Sequence, residues 1–439
     1  MIAYILCFVL GAALGLFASE FADRWGCSQR YRSSLPKKIF IAFTAGLAAA
    51  ALYAWEVEMG MLMPAHMPTM KVFSAHEAFG YFLIFFLRYA LHLLLFVFLL
   101  AATLTDFYEM IIPDTITITG TVCALCLAVL LPYAPLPATV LLNEDDMANT
   151  AKFHEGDLPK LAETHPELTE YLAESLEMFR WYKENKVAVA PINVWSPNKP
   201  QWDFPYRIGI GDKGSVVIPK FLPAMIFLWW FWCFAMLDRV WYTQLPFRKA
   251  HAIFWRYLYR SPRTKYIIAA ALLGPIGLAL IVFVPEGAFV LMANVEIALY
   301  SSLVGMATGM MLVWGVRLVA RWVLGVEAMG FGDVTLMGMI GAFLGWQAVL
   351  LVFFLAPFFG LVYGIINVAI GRGRAVPYGP FLCLAAVTVV IFWRFVWQET
   401  AEYFAFGIGT IGIALLVLLV VFGGLLHVVH KIFAGLRRD

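Results

Sequence analysis

The sequence predicts an all-α polytopic membrane protein of about eleven transmembrane helices with one small extracytoplasmic insert. Three observations predict it. Of 439 residues, 62% are hydrophobic and 14% charged, with a mean hydropathy of +0.81, more apolar surface than a soluble core can hide. The apolar residues fall in runs of roughly 20, the length a helix needs to cross a bilayer. Lys and Arg gather in alternate loops, the pattern that marks the cytoplasmic side. A net charge of +2 without a large basic cluster gives no sign of a nucleic-acid partner.

Spans are expected near 2–20, 39–57, 79–105, 115–137, 219–237, 266–285, 296–320, 347–370, 377–397 and 403–426. The apolar stretch 334–346 makes the eleventh, short for a full crossing and suited to a thin or partly re-entrant segment. The opening MIAYILCFVLGAALGLF lacks the positive n-region of a cleaved signal and is followed by Arg24, Arg30 and Arg32. It therefore reads as a first span whose N-terminus lies outside the cytoplasm. Residues 21–38 carry five cations, and residues 238–265 carry seven against the single acid Asp238. Arg317, Arg321, Arg372, Arg374 and the final Arg437-Arg438 fall on the same side by an eleven-span count, which puts the C-terminus in the cytoplasm.

One segment departs from this pattern. Residues 143–218 hold thirteen acids against eight Lys and Arg and fall on the outer side. Thr164-His165-Pro166-Glu167 has the form of a capped helix start, with a helix expected to about Lys186. Residues 187–218, rich in Pro, Trp and Gly, read as irregular or short-stranded. The chain thus divides into N-terminal helices with a reduced loop (1–105), a first acidic motif with its helix (106–142), the polar insert (143–218) and a C-terminal bundle (219–439).

Two acids stand out. Gly330-Phe331-Gly332-Asp333 runs directly into the uncharged VTLMGMIGAFLGW, so Asp333 sits at the lip of a membrane helix, where an acid is costly and usually functional. Gly330 and Gly332 permit the close approach such an acid needs. Asp106, in LTDFYEMIIPDTIT, closes the apolar run of the third span. By the charge count both lie at the cytoplasmic face. Two carboxylates that meet there can share one proton, the ionised one taking a proton from water while its partner polarises a carbonyl. The four-letter pattern alone is weak, since Gly209-Ile210-Gly211-Asp212 repeats it in the polar insert with no membrane helix behind it. That copy reads as a turn.

These residues carry a resemblance. TDFYEMIIPD resembles the first-aspartate motif of the type IV prepilin peptidases, and GVEAMGFGDVTLMGMIGAFLGW resembles their GxGD motif and following helix. GRGRAVPYGPFLCLAA is similar to their PFGPFLALA segment, with Tyr378 for the usual Phe. The resemblance implies an intramembrane aspartyl protease that cleaves the basic leader from prepilin or pseudopilin precursors at the bacterial inner membrane. Asp106 and Asp333 would be its catalytic pair, supported by Gly330, Gly332, Pro113, Asp114, Pro377, Gly379 and Pro380. Asp114 suits a helix-starting acid better than a third catalyst. Glu109 and Glu327 flank the site and could attract a positive leader.

The departures are informative too. Bifunctional members of the family carry two CxxC pairs in the first cytoplasmic loop, whereas DRWGCSQRYRSSLPKK holds Cys27 alone. One thiol cannot build a four-ligand zinc site, so neither zinc nor S-adenosylmethionine is expected, and N-methyltransferase activity is not. The remaining cysteines lie in apolar runs and read as core residues; Cys123 and Cys126 form a CxxC without a second pair. The family's frequent Lys two positions after the second aspartate is Thr335 here. Arg88 and His92 share a face of the third span and should pair with Glu77, His76 or a neighbouring helix. Two other readings stand beside the peptidase: an ion- or proton-coupled transporter using these acids, and an inactive assembly scaffold whose insert docks a pilus or secretion partner. Membrane lipid surrounds the protein in every case.

Overall fold

A computed structural model describes residues 1–25, 33–62, 75–132, 134–141, 187–191, 207–208, 218–219, 221–237, 246–282, 295–325, 329–370, 377–404 and 406–436. The helices are α1 (Ile2–Trp25), α2 (Leu35–Tyr53), α3 (Ala75–Glu109), α4 (Asp114–Leu130), α5 (Leu222–Met236) and α6 (Phe247–Arg260). They continue as α7 (Pro262–Val282), α8 (Val295–Leu324), α9 (Phe331–Ala369), α10 (Gly379–Ile391), α11 (Trp393–Phe404) and α12 (Gly407–Leu436). The chain is an all-α polytopic membrane protein. Two short antiparallel pairs lie in and beside the insert: Pro137–Leu141 with Val187–Pro191, in register Thr139 to Val189, and Arg207–Ile208 with Ile218–Pro219. The short-stranded expectation for 187–218 is met at these positions, while the helix from Thr164, the turn at 209–212, Cys27 and Glu327 lie outside the described residues.

Among the described residues, six helices are long and apolar enough to cross a membrane: Ile2–Arg24, Leu35–Glu58, Phe85–Glu109, Pro262–Ile281, Ala298–Leu324 and Phe331–Ala369. The expected eleven is reached only by adding the shorter apolar helices Asp114–Leu130, Leu222–Met236 and Gly409–Leu425, adding one bent pair, and dividing α9. That division is real in the backbone, because Gly345 takes φ 83°, ψ 170° and joins two helices within α9. The short segment expected at 334–346 is the first of them.

The span expected at 377–397 is sharply broken: α10 and α11 meet at an 82° bend after Ile391. The cause is a change of pattern. GPFLCLAAVTVVI is apolar all round, whereas WRFVWQETAEYF separates Trp393, Trp397 and Phe404, all buried, from Arg394, Gln398 and Glu399. The Trp393 indole donates to the Pro137 carbonyl at 2.6 Å, which ties the start of α11 to the first strand.

The core centres on α9, whose residues 333–350 are buried throughout. Its most extensive contact is with α8, and it also packs on α4 and α10. Within lipid no hydrophobic gain separates helix from helix, so close packing of small residues does the work. Gly305 of α8 and Gly341 of α9 face each other so closely that a Cβ on either would strike the other's backbone. The Trp229 and Trp230 indoles donate to the Ala270 and Ala271 carbonyls at 2.9 Å, joining α5 to α7. A second cluster, including Cys7, Leu52, Tyr53 and Tyr89, holds α1 and α2 against α3.

The buried pair expected around Arg88 and His92 forms with a neighbouring helix, one of the expected alternatives. His92 Nδ1 lies 2.8 Å from Glu56 Oε1, both side chains essentially inaccessible. Glu56 is turned inward by a single π-helical turn, Ala54–Glu58, that ends α2. Arg88 donates through Nε to the Ala134 and Pro135 carbonyls at 3.2 and 3.1 Å. The side chains of His76 and Glu77 lie outside the described residues. Cys7, Cys233 and Cys383 are buried as expected, whereas Cys126 is exposed on α4.

Candidate active site

Asp333 owes its position to the way α9 begins. Gly330 is the N-cap, with extended φ −67°, ψ 154°, and Phe331 starts the helix, so Asp333 is the third helical residue. An acid there reaches back to the cap's backbone N–H, and the Asp333 carboxylate accepts a hydrogen bond from Gly330. The Gly-Phe-Gly-Asp spacing is thus a helix start that carries its own capping acid. Thr335, next on the same turn, is buried and donates to the Gly332 carbonyl at 3.0 Å.

Asp106 sits in the last turn of α3. The helix ends three residues later at Glu109, and Met110 adopts the left-handed φ of 55°, its N–H bonded to the Asp106 carbonyl at 2.8 Å. The chain then turns through Ile111 and Ile112 to Pro113, the N-cap of α4. The Asp106 carboxylate meets α10 from the side: the Gly379 N–H, a free donor of that helix's first turn, donates to Oδ2 at 3.0 Å.

Ile112 joins the two halves of the site. A Cβ on Gly332 would lie 2.9 Å from Ile112 Cβ, and one on Gly379 would lie 2.7 Å from Ile112 Cδ1 and 2.5 Å from Asp106 Oδ2. The bare backbones of both glycines are what let the α3–α4 turn, the start of α9 and the start of α10 converge. Asp106 is 5% exposed and Asp333 7%, and the two are close enough that the charge of one acts on the other. Both carboxylates lie at helix N-termini, whose free N–H groups favour negative charge. Two buried acids with one shared field suit a single proton held between them.

The other expected site residues divide clearly. Gly330, Gly332, Gly379, Pro113 and Pro380 shape the helix starts around the pair, and Pro377 leads into the last of them. Asp114 opens α4 and pairs with Arg263 Nη1 at 2.9 Å, both side chains well exposed, so it fastens α4 to α7 and stands apart from the pair's chemistry. Glu109 is the last residue of α3, three positions after Asp106. Sequence reasoning missed Arg317, which served only to mark the membrane side. Its guanidinium lies 5.5 Å from the Phe331 ring centroid, and its charge reaches Asp333. A cation near the second acid is thus supplied from α8, and Thr335 need not supply it. The one available signal was a pair of basic residues, Arg317 and Arg321, in the largely apolar stretch that precedes the glycine motif.

Residues 263–365 match the model of the Type IV leader peptidase family. Asp333 lies inside that match, whereas Asp106 and Pro377 to Pro380 lie outside it. The chain is 35% identical over 121 residues to the prepilin leader peptidase/N-methyltransferase of Stutzerimonas stutzeri, covering 27% of this chain and 39% of that one. It is 34% identical over 100 residues to the protein of the same name in Pseudomonas aeruginosa, covering 22% and 33%. Over 92 residues it is 30% identical to that of Aeromonas salmonicida, covering 20% and 32%. The chain therefore spans less than half the length of the curated relatives it matches. No solved structure matches the chain. Over residues 263–365, the chain is similar to the type IV leader peptidase family.

Proposed function

We propose that this protein is a prepilin-type leader peptidase that hydrolyses the bond between the basic leader and the apolar segment of prepilin or pseudopilin precursors. The observation that carries the reading is the meeting of Asp106 and Asp333, two buried carboxylates delivered by separate helices to one point. In the reaction the ionised carboxylate takes a proton from water as the water oxygen bonds to the scissile carbonyl carbon. The protonated carboxylate donates to the carbonyl oxygen, which carries the developing charge. Collapse of the tetrahedral species breaks the carbon–nitrogen bond as the departing amine takes the proton held by the first carboxylate, and a hydroxyl of the tetrahedral species returns its proton to the second. The pair returns to its starting state with one proton.

The basic loops favour an active site at the cytoplasmic face of the bacterial inner membrane, with the N-terminus outside. No cofactor is needed for this chemistry. The first loop offers Cys27 as its single thiol, which does not fit a four-thiolate zinc centre, and we assign no methyl transfer to this chain.

The test is co-expression with a prepilin-like precursor and N-terminal sequencing of the product. Asp106→Asn and Asp333→Asn should each lower processing by on the order of 10²- to 10⁴-fold, the usual worth of positioned acid–base groups. Full processing by either variant would remove that residue from catalysis.

A further inference from the structure

An apolar groove begins one helical turn from Asp106, at Thr103 and Pro380, and we propose that it seats the first ten or so residues of the precursor's apolar helix. The inference rests on the peptidase reading and adds the path by which substrate reaches it. The groove lies between α2, α3 and α10, with α1 behind, and has a cavity volume of about 740 Å³. Its lining is almost wholly hydrocarbon.

Three features commit it to this occupant. The first is continuity with the acids. Thr103 lines one end and lies one helical turn before Asp106, so both share a face of α3. Pro380, opposite, follows the Gly379 whose N–H binds the Asp106 carboxylate.

The second feature is length and direction. The α3 wall extends from Leu93 to Thr103 and the α10 wall from Pro380 to Ile391, each about 15 Å at 1.5 Å per residue. At the far end the Trp55 indole donates to the Ile391 carbonyl at 2.9 Å and closes the floor. A precursor cut where its polar leader meets its apolar helix must send that helix away from the acids into the bilayer, and the groove points that way.

The third feature is a sideways opening. Thr44, Ala48 and Ala51 on α2 and Leu384 on α10 are exposed along the walls. A helix segment about 15 Å long and 10 Å across fills roughly 1,200 Å³, so the groove embeds one face and leaves the other to lipid. A helix can therefore enter laterally without unfolding, and its cut product can leave the same way.

A photo-crosslinking amino acid placed singly at Leu384 and at Ala48, in the Asp106→Asn protein in membranes with the precursor, tests the proposal. Both positions are exposed, so the probe does not disturb the core. The expected result is a precursor adduct at both sites, mapped within the first ten residues of its apolar segment. A probe at Phe358, exposed on α9 away from the groove, should give lipid adducts alone. In parallel, Ala48→Trp should lower processing of the full precursor by about tenfold or more, the scale of overfilling a fitted site. Lipid adducts alone at both groove positions, with the wild-type protein processing the precursor, overturn the groove and leave the peptidase reading intact. Absence of processing by the wild-type protein itself overturns the peptidase reading.

Discussion

Gly379 does two things at once, and they constrain each other. Its N–H holds the Asp106 carboxylate at 3.0 Å, and its missing side chain is what admits that carboxylate and Ile112. In Gly379→Ala the new methyl would sit 2.5 Å from Asp106 Oδ2, well inside contact, so the acid must move. A displacement near 1 Å in a catalytic group costs about 10²-fold, and that loss is expected in processing kinetics while the protein still purifies as a folded species. Asp333 was legible in the sequence because its two glycines and uncharged following run sit beside it in the chain, and the helix start they build is a local event. Asp106 was legible through its own neighbourhood for the same reason. Ile112 and Arg317 were not, since their roles exist only once α4 or α8 is laid against α9.

At the scale of elements, the departures from regular helix are where the structure turns chemistry inward. The π turn at Ala54–Glu58 shifts two side chains at once: Glu56 toward His92, and Trp55 toward Ile391. Glu56→Ala would leave the buried His92 without its carboxylate and remove the negative charge that reaches Arg88. Stranding buried polar groups in this way should cost about 3 kcal/mol, read as a lowered thermal midpoint in detergent. Glu56→Gln, which retains an acceptor, should recover much of it. A partner on a neighbouring helix was among the expectations for His92, but its identity as Glu56 could not be read from the sequence, because the π turn that ends α2 brings it there only in the fold. The bend after Ile391 escaped for a different reason: its aromatic residues are as apolar as a span, and only the folded contacts show that Trp393 and Trp397 point into one core.

For the whole molecule, the α8–α9 crossing acts as the frame on which the site is hung. The helices approach through Gly305 and Gly341, and α9 presents Asp333 from its first turn just beyond. Gly341→Leu should push the two helices apart, lower the yield of folded protein and abolish processing in whatever folds, measured by size-exclusion profile and cleavage assay together. The multi-pass class was plain from composition and run length, whereas the number of crossings was not, because short helices, a bent pair and a break at Gly345 each divide apolar sequence in ways hydropathy does not distinguish.

The Gly379 to Asp106 hydrogen bond joins residues 273 positions apart. During synthesis the first acid enters the membrane long before its backbone donor exists. A nascent chain halted anywhere before α10 holds an acid with no anchor and no working partner geometry. On the proposed peptidase reading, cleavage is therefore expected only from chains extended past Gly379, a delay written into the order of the helices.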